Sequence, residues 1–323
     1  MKFVVSFITL VEALAMGGCY VEEGFLDDDV GVVYQPVDVD NSSLYNGTKY
    51  NGTKYNGTAL NEVTLDGTTF SAVDSATEQP LTGSAFIGVD MQIELEGGGT
   101  GEVRITDIED SGITGMEFFT VEYYNGSTWE NLCESGTKAI PVHGKWNRTN
   151  GDFEDDGNHF TFACRGAAIA KCLEWGYVAW NTQEECDGGT CKDQSLHEFH
   201  LACINMVRAD YCGDGISHTE DGTLIDAYDA LGIMTDETGV TMDFEAEWGA
   251  DGANCIKHTR WENGVSDLNE YNYIQTNCPS RWVGPSDTDC GSSTSTFHTS
   301  NGFNTSLSTR TLFHNESNNN YRY

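Results

Sequence analysis

The densest gathering of groups able to do chemistry lies between Asp210 and Asp229, where Asp214, His218, Asp221 and Asp226 also stand. Read as a twelve-residue calcium loop, the stretch puts Asp210 first, Asp214 fifth, Gly215 sixth and Asp221 twelfth, between two segments of helical character. Two positions break that pattern. Cys212 is third, where an oxygen ligand belongs, and Asp221 lacks the reach of the usual bidentate Glu. The competing reading is a cysteine-tied turn in which Asp carboxylates accept from backbone amides and the glycines take positive φ. The turn is favoured, and calcium held by Asp210, Asp214 and Asp221 is the one cofactor kept in view. A hydrolase would have its site among Asp210, Asp214, His218 and Asp226, although no catalytic residue is assigned. Asp226 and Asp229 would share a face on a helix, and paired carboxylates can cleave glycosidic bonds, but solvated acids at that spacing are common.

His197 and His200 lie three apart on one expected helical face, a spacing that can present both imidazoles to a transition metal. With Glu198 they approach the zincin helix, yet His-Glu-x-His is one residue short of that motif, so the second ring is rotated off the metal. A plain, partly exposed helix face is expected. A nucleophilic cysteine with His218 or His258 is conceivable, but every cysteine after Cys19 has a candidate disulfide partner. Trp175, Tyr177 and Trp180 could line a carbohydrate- or peptide-binding face; aromatics beside cysteines more often cover the bridges of a small core. No Gly-x-Ser-x-Gly elbow, phosphate-binding loop or dinucleotide fingerprint occurs.

Sixteen basic residues against fifty-one acidic ones leave a formal charge of -35. That field repels nucleic-acid phosphates, so nucleic-acid partners are not expected. Divalent cations and basic partners suit it, and its commonest meaning is a hydrated surface. At the N-terminus, Lys2 precedes an apolar run from Phe3 to Met16, too short to span a bilayer and proportioned like a signal-peptide core. The run leads into Leu14-Ala15-Met16-Gly17-Gly18-Cys19, which resembles a lipobox, although Glu12 and Met16 depart from its usual form. The reading is a lipoprotein signal peptide over 1-18, with fatty-acylated Cys19 anchoring the chain to the outer membrane of the cell envelope. An ordinary secretory signal with an incidental cysteine is the rival. Membrane lipid is thus the first partner, and a protein or glycan at the cell surface a second. The eight Asn-x-Ser/Thr sequons would matter only in a eukaryotic secretory pathway.

Eleven cysteines minus Cys19 leave ten: Cys133, Cys164, Cys172, Cys186, Cys191, Cys203, Cys212, Cys255, Cys278 and Cys290. An even set fits five disulfides in an oxidising compartment. Zinc is the rival use, since Cys186 and Cys191 stand close together with Cys203 and Cys212 following. No Cys-x-x-Cys knuckle occurs, so disulfides are preferred.

These features sit on a chain long enough for two domains. An acidic tether is expected over 19-44. Over 45-70 a five-residue period places Tyr45, Tyr50, Tyr55, Leu60, Leu65 and Phe70, with Asn-Gly-Thr filling the early intervals. Too short for a pentapeptide β-helix of its own, it suits a low-complexity spacer or an edge strand. From 80-163 short alternating runs such as Phe119-Thr120-Val121-Glu122-Tyr123, separated by Gly-rich turns, predict a β domain. A cysteine-rich domain over 164-290 should carry helices at Ala167-Leu173 and around Leu196, His200, Cys203 and Val207. The Ser/Thr/Asn-rich tail over 291-323 should be extended apart from a strand at Leu312-Phe313. The fold class expected is α+β: a short-stranded β-sandwich or barrel-like domain, then a disulfide-rich domain with two or more helices.

The run Ala209-Asp210-Tyr211-Cys212-Gly213-Asp214-Gly215, followed by Ser217-His218-Thr219 and Asp221-Gly222-Thr223, resembles the signature of the ADYC domain. Flanking matches are Phe162-Ala163-Cys164-Arg165-Gly166-Ala167, Lys171-Cys172, Trp175-Gly176-Tyr177, Ile225-Asp226, Tyr228-Asp229, Cys255 with His258-Thr259-Arg260, and Cys278-Pro279. The resemblance covers roughly Phe86 to Phe313. It implies a Gram-negative bacterial lipoprotein of unknown activity, and no catalytic residue comes with it.

Overall fold

Alternating side chains and glycine-rich turns carry the first half of the chain into antiparallel strands. A computed structural model describes residues 32-34, 45-55, 57-95, 100-133, 136-146, 153-155, 157-187, 189-219, 223-236, 242-260, 267-285, 290 and 310-317. The expected signal peptide, Cys19, Asp221, most of the tether and most of the tail lie outside these residues. In chain order the strands begin with β1 (Val32–Tyr34), β2 (Tyr45–Tyr55), β3 (Thr58–Asp66), β4 (Thr69–Asp74), β5 (Pro80–Thr82), β6 (Val89–Leu95) and β7 (Thr100–Asp110). Next come β8 (Glu117–Tyr124), β9 (Trp129–Asn131), β10 (Ala139–His143), β11 (Lys145–Trp146), β12 (Phe153–Glu154) and β13 (His159–Cys164). Helix α1 (Ala168–Glu174), the hairpin β14 (Thr182–Asp187) and β15 (Thr190–Ser195), and helix α2 (Leu196–Arg208) follow. The remainder comprises β16 (Leu224–Asp229), β17 (Asp243–Gly249), β18 (Gly252–Ile256), α3 (Asp267–Asn277) and β19 (Phe313–Ser317). The fold is α+β.

Strands β2, β6, β7, β8, β10 and β13 pair in that order, and β13 pairs back onto β2, closing a ring from which β3, β4 and β5 extend. Closure pairs the edges of β2 and β13 with each other, so within the ring neither is open to another strand, and the sheet's terminal strand is the short β5. Val89, Met91 and Ile93 of β6 point inward between polar neighbours, the two-residue period of a half-buried strand. β10 and β13 are buried on both sides. Phe160, Phe162 and Cys164 face the ring interior, while Ala163, Ile140 and Val142 face a second core, so β13 is buried along its whole length, His159 and Thr161 included.

Of the spacer and the edge strand expected for the five-residue repeats, the strand is what forms: they make β2, β3 and the start of β4, and β2 is a member of the ring instead of lying at an edge. An odd period cannot hold one residue type on one face of a strand, and the register of β2 against β6 shifts twice. Phe70, the last apolar position of the period, inserts among Phe86, Phe119 and Phe160 at centroid distances of 5.3, 5.7 and 4.9 Å.

The second sheet runs β1-β16-β19-β17-β18, every pair antiparallel. Its central strand comes from the far end of the chain, where Phe313–Ser317 is buried throughout. Residues of the expected tether, Val32–Tyr34, form the opposite edge. Helix α2 starts at Ser195, whose hydroxyl accepts from the His197 amide at 3.1 Å, the standard N-cap bond. The face carrying Phe199, Cys203, Ile204 and Val207 packs into the second core, and Cys172–Cys203 ties α1 to α2. The other bridges are Cys133–Cys164, Cys186–Cys191, Cys212–Cys278 and Cys255–Cys290. All ten candidate cysteines are paired.

Two local expectations are corrected. Asp226 and Asp229 lie on a strand, so they point to opposite faces and do not form a facing pair. The segment after the Asp210 turn is that same strand and not the exiting helix of a calcium loop.

Candidate functional site

Helix α2 ends at Ala209, which takes the left-handed conformation (φ 51, ψ 41) and is fully buried, so the helix stops where only a small side chain fits. The chain then turns back on itself. Asp210 directs both carboxylate oxygens at that turn: Oδ1 accepts from the Asp214 amide at 3.1 Å and Oδ2 from the Gly215 amide at 2.7 Å. Arg208 lies 3.7 Å from Oδ2. Burial pushes the Asp210 carboxyl up to about 6, against the pull of Arg208 and the two amides. Gly213, at φ 67, could carry no side chain, since a Cβ there would meet the Asp251 carbonyl oxygen at 2.0 Å. Cys212 closes the turn onto α3 through Cys278.

Tyr211 points the other way, into the molecule. Its ring stacks on Trp248 at 5.3 Å, and its hydroxyl donates to Glu245 Oε1 at 3.0 Å while accepting from the Arg260 amide at 2.9 Å. Arg260 and Glu245 form an ion pair with both side chains wholly buried, Nε lying 2.9 Å from Oε2. The guanidinium also donates to the Val207 and Met206 carbonyls, closing the C-terminal end of α2. Asn315 Nδ2 donates to Glu245 Oε2 at 2.8 Å, and its Oδ1 accepts from Trp248 Nε1 at 2.7 Å. One buried network therefore joins α2, β17, β19 and the turn. Such a pair is tolerable inside a protein only when its remaining donors and acceptors are met, as they are here.

The other nominated acids and histidines are placed as follows. Asp214 is exposed and accepts from Tyr273 Oη at 2.5 Å; desolvation of the phenol, and then that bond, raise it to about 12. His218 sits beneath it, between the rings of Tyr211 and Tyr273 at 5.8 and 4.7 Å, and burial lowers its pKa to about 4. Asp229 accepts from the Leu231 and Met234 amides at 2.6 and 2.5 Å and from Tyr177 Oη at 2.7 Å. Asp226 is buried on the opposite face of β16, across from Glu316. The structure thus brings Asp210, Asp214 and His218 near one another and separates them from Asp226 and Asp229. At Asp210 a cation would compete with the amide hydrogens that face both oxygens, and Cys212, held in its bridge, supplies no ligand at the third position.

His200 is fully buried, with Nε2 3.0 Å from the Ile169 carbonyl oxygen and burial lowering its pKa to about 4. It packs edge-on to Trp146, whereas His197 contacts Phe153, so the two rings serve core packing. Both nitrogens of His258 face backbone carbonyls, of Thr259 and Asp243 at 3.1 and 3.0 Å. With every candidate nucleophilic cysteine in a bridge, neither His218 nor His258 activates a thiol. Tyr177 is buried against Phe313 at 4.7 Å, and Trp175 and Trp180 pack onto the same core. Glu245 and Asn315 were not singled out by the sequence, and Arg260 was marked there only as a signature position without a role. A carboxylate between apolar neighbours in Phe244-Glu245-Ala246, and Arg260 beside the signature histidine, were the available signals. Among the described residues, ligating atoms converge at one place, Glu184, Cys186 and Cys191.

No helix among the described residues is long and apolar enough to cross a membrane. A family model described as the ADYC domain matches residues 83-262. No curated protein and no solved structure matches the chain.

Proposed function

We propose, for a chain that belongs to the ADYC domain family, an exported cell-envelope role: a lipid-anchored structural or binding module held by Cys19 at the outer membrane. The observation that carries this reading is cysteine pairing. The ten cysteines after Cys19 pair among themselves, which leaves that one thiol over, at the residue the lipobox-like run would acylate. Five bridges persist only where the surroundings are oxidising. The ring of strands and the disulfide-tied α+β part are then carried on the N-terminal tether, with a surface protein or glycan as partner. A hydrolase centred on Asp210 is the weaker alternative, because that carboxylate and Asp229 cap backbone amides and the signature Tyr211 is locked in the core. Calcium-stabilised adhesion is weaker for the same reason.

Mass spectrometry of the native mature protein without reduction tests the proposal. The expected result is a chain beginning at Cys19 with an acyl mass increment and no alkylatable thiol. A chain retaining Met1, or several free thiols, would sink it.

A further inference from the structure

The five bridges are not equivalent. In four of them at least one partner is buried: Cys133 and Cys164, Cys172 and Cys203, Cys278, and Cys290. Cys186 and Cys191 are both exposed. They sit directly opposite one another in the β14–β15 hairpin and enclose its turn, with a sequence separation of 5, the shortest loop closed by any bridge. Thiol–disulfide exchange requires a thiolate to reach a sulfur from outside, and among the five bridges only this one has both of its cysteines exposed. Opening it leaves the hairpin in place, since six cross-strand residue pairs remain, and Arg310 reaches from beside β19 to hold Glu185 in a buried ion pair.

Glu184 lies two residues before Cys186 on the same face of β14, and its carboxylate, with the two sulfurs, falls within a span of 4.8 Å. Cys186 Sγ is 3.8 Å from Glu184 Oε1. Tetrahedral zinc with bonds of roughly 2.3 Å asks its sulfurs to stand about 3.8 Å apart, a separation that a freed cross-strand pair reaches by rotating about χ1. We infer that this hairpin is a redox-gated metal site: reduced Cys186 and Cys191, with Glu184, bind a thiophilic divalent cation such as zinc, leaving a fourth position to water.

The balance is simple. A dithiol reductant passes two electrons and two protons to the Cys186–Cys191 bond and becomes a disulfide itself. Binding of the cation then releases both thiol protons to solvent, so uptake strengthens as pH rises. Two thiolates favour zinc over calcium or magnesium. The site is independent of the lipid anchor and stands or falls without it.

The test uses the full chain. Graded dithiothreitol followed by alkylation and mass mapping should open Cys186–Cys191 before any other bridge, and zinc alone should then bind at one per chain. The untreated protein should bind none at this hairpin. Cobalt as the probe should give a thiolate charge-transfer band in the reduced protein. The double variant Cys186→Ser, Cys191→Ser should keep the other four bridges and lose the binding. Glu184→Gln should weaken it at least about tenfold, the loss that follows removal of even an outer-shell partner. Earlier opening of another bridge, no zinc uptake after reduction, equal uptake without it, retention in the double serine variant, or an unchanged affinity in Glu184→Gln would each overturn the proposal.

Discussion

Replacing Tyr211 with Phe tests whether the signature turn is a structural clamp. The ring and its stacking on Trp248 survive, so the change removes one oxygen. That oxygen accepts from the Arg260 amide at 2.9 Å and donates to Glu245 Oε1 at 3.0 Å, in surroundings without water access. An orphaned buried amide costs about 1–3 kcal/mol, and a hydrogen bond to a charged group contributes about 1.5–3 kcal/mol. Glu245 keeps its bonds from Arg260 Nε and Asn315 Nδ2, so the two costs overlap, and a net loss of about 3 kcal/mol is expected. Equilibrium unfolding in urea with bridges intact, followed by tryptophan fluorescence, gives the number, and an unchanged m-value would show that the same surface is being exposed. Tyr123→Phe is the control: its hydroxyl reaches Glu130 at the surface at 2.8 Å, and its removal should cost less than about 0.5 kcal/mol. Should Tyr211→Phe cost no more than Tyr123→Phe, the buried network does not hold the turn and the reasoning fails.

Acid should destabilise the fold through His200 and His218, both lowered to about 4 by burial: the stability they provide is present above the unfolded value of 6.5 and is lost as pH falls from 6.5 towards 4. Asp210, raised to about 6, opposes them, because its proton is bound more tightly when folded and that contribution fades as pH rises through 6. Near pH 5, His218→Asn should therefore reduce the slope of stability against pH by about 1 kcal/mol per unit, and an unaltered slope would refute the burial argument. Replacing Cys212 and Cys278 together by Ala frees a pair separated by 66 residues and should cost about 4 kcal/mol; the pair separated by 5, Cys186 and Cys191, should cost about 2 kcal/mol, and the reverse order would contradict the loop-entropy account. Chelation should leave the melting temperature unchanged, since amide hydrogens face both oxygens of Asp210; a fall of several degrees would restore the calcium loop. Truncation before Arg310 should prevent folding of the second sheet, read by far-UV circular dichroism, because it removes the strand between β16 and β17.

Much of the local structure was legible because its causes are local. The alternation in Phe119–Tyr123 required a half-buried strand, and the three- and four-residue spacing from Leu196 to Val207 required a helix with one buried face. The even number of cysteines after Cys19 pointed to bridges, and the Asp and Gly residues around Cys212 pointed to a capped turn, which is what Asp210 and Gly213 make.

Pairing across long stretches of chain had no local cause to read. A strand was expected at Leu312-Phe313, but His314-Asn315-Glu316-Ser317 looks like more of a polar tail until β16 and β17 bond its backbone and Glu245 takes the Asn315 amide. The repeats suit a spacer or an edge strand equally until β13 closes on β2. Which acids are buried followed the same rule: Asp226 and Asp229 are three residues apart in composition-neutral sequence, and only their being on a strand sends them to opposite faces. Composition and period act through neighbours a few residues away, whereas register, disulfide partnership and the burial of a charge depend on segments brought together from as far apart as Val32 and Asp226, and only the folded arrangement supplies those contacts.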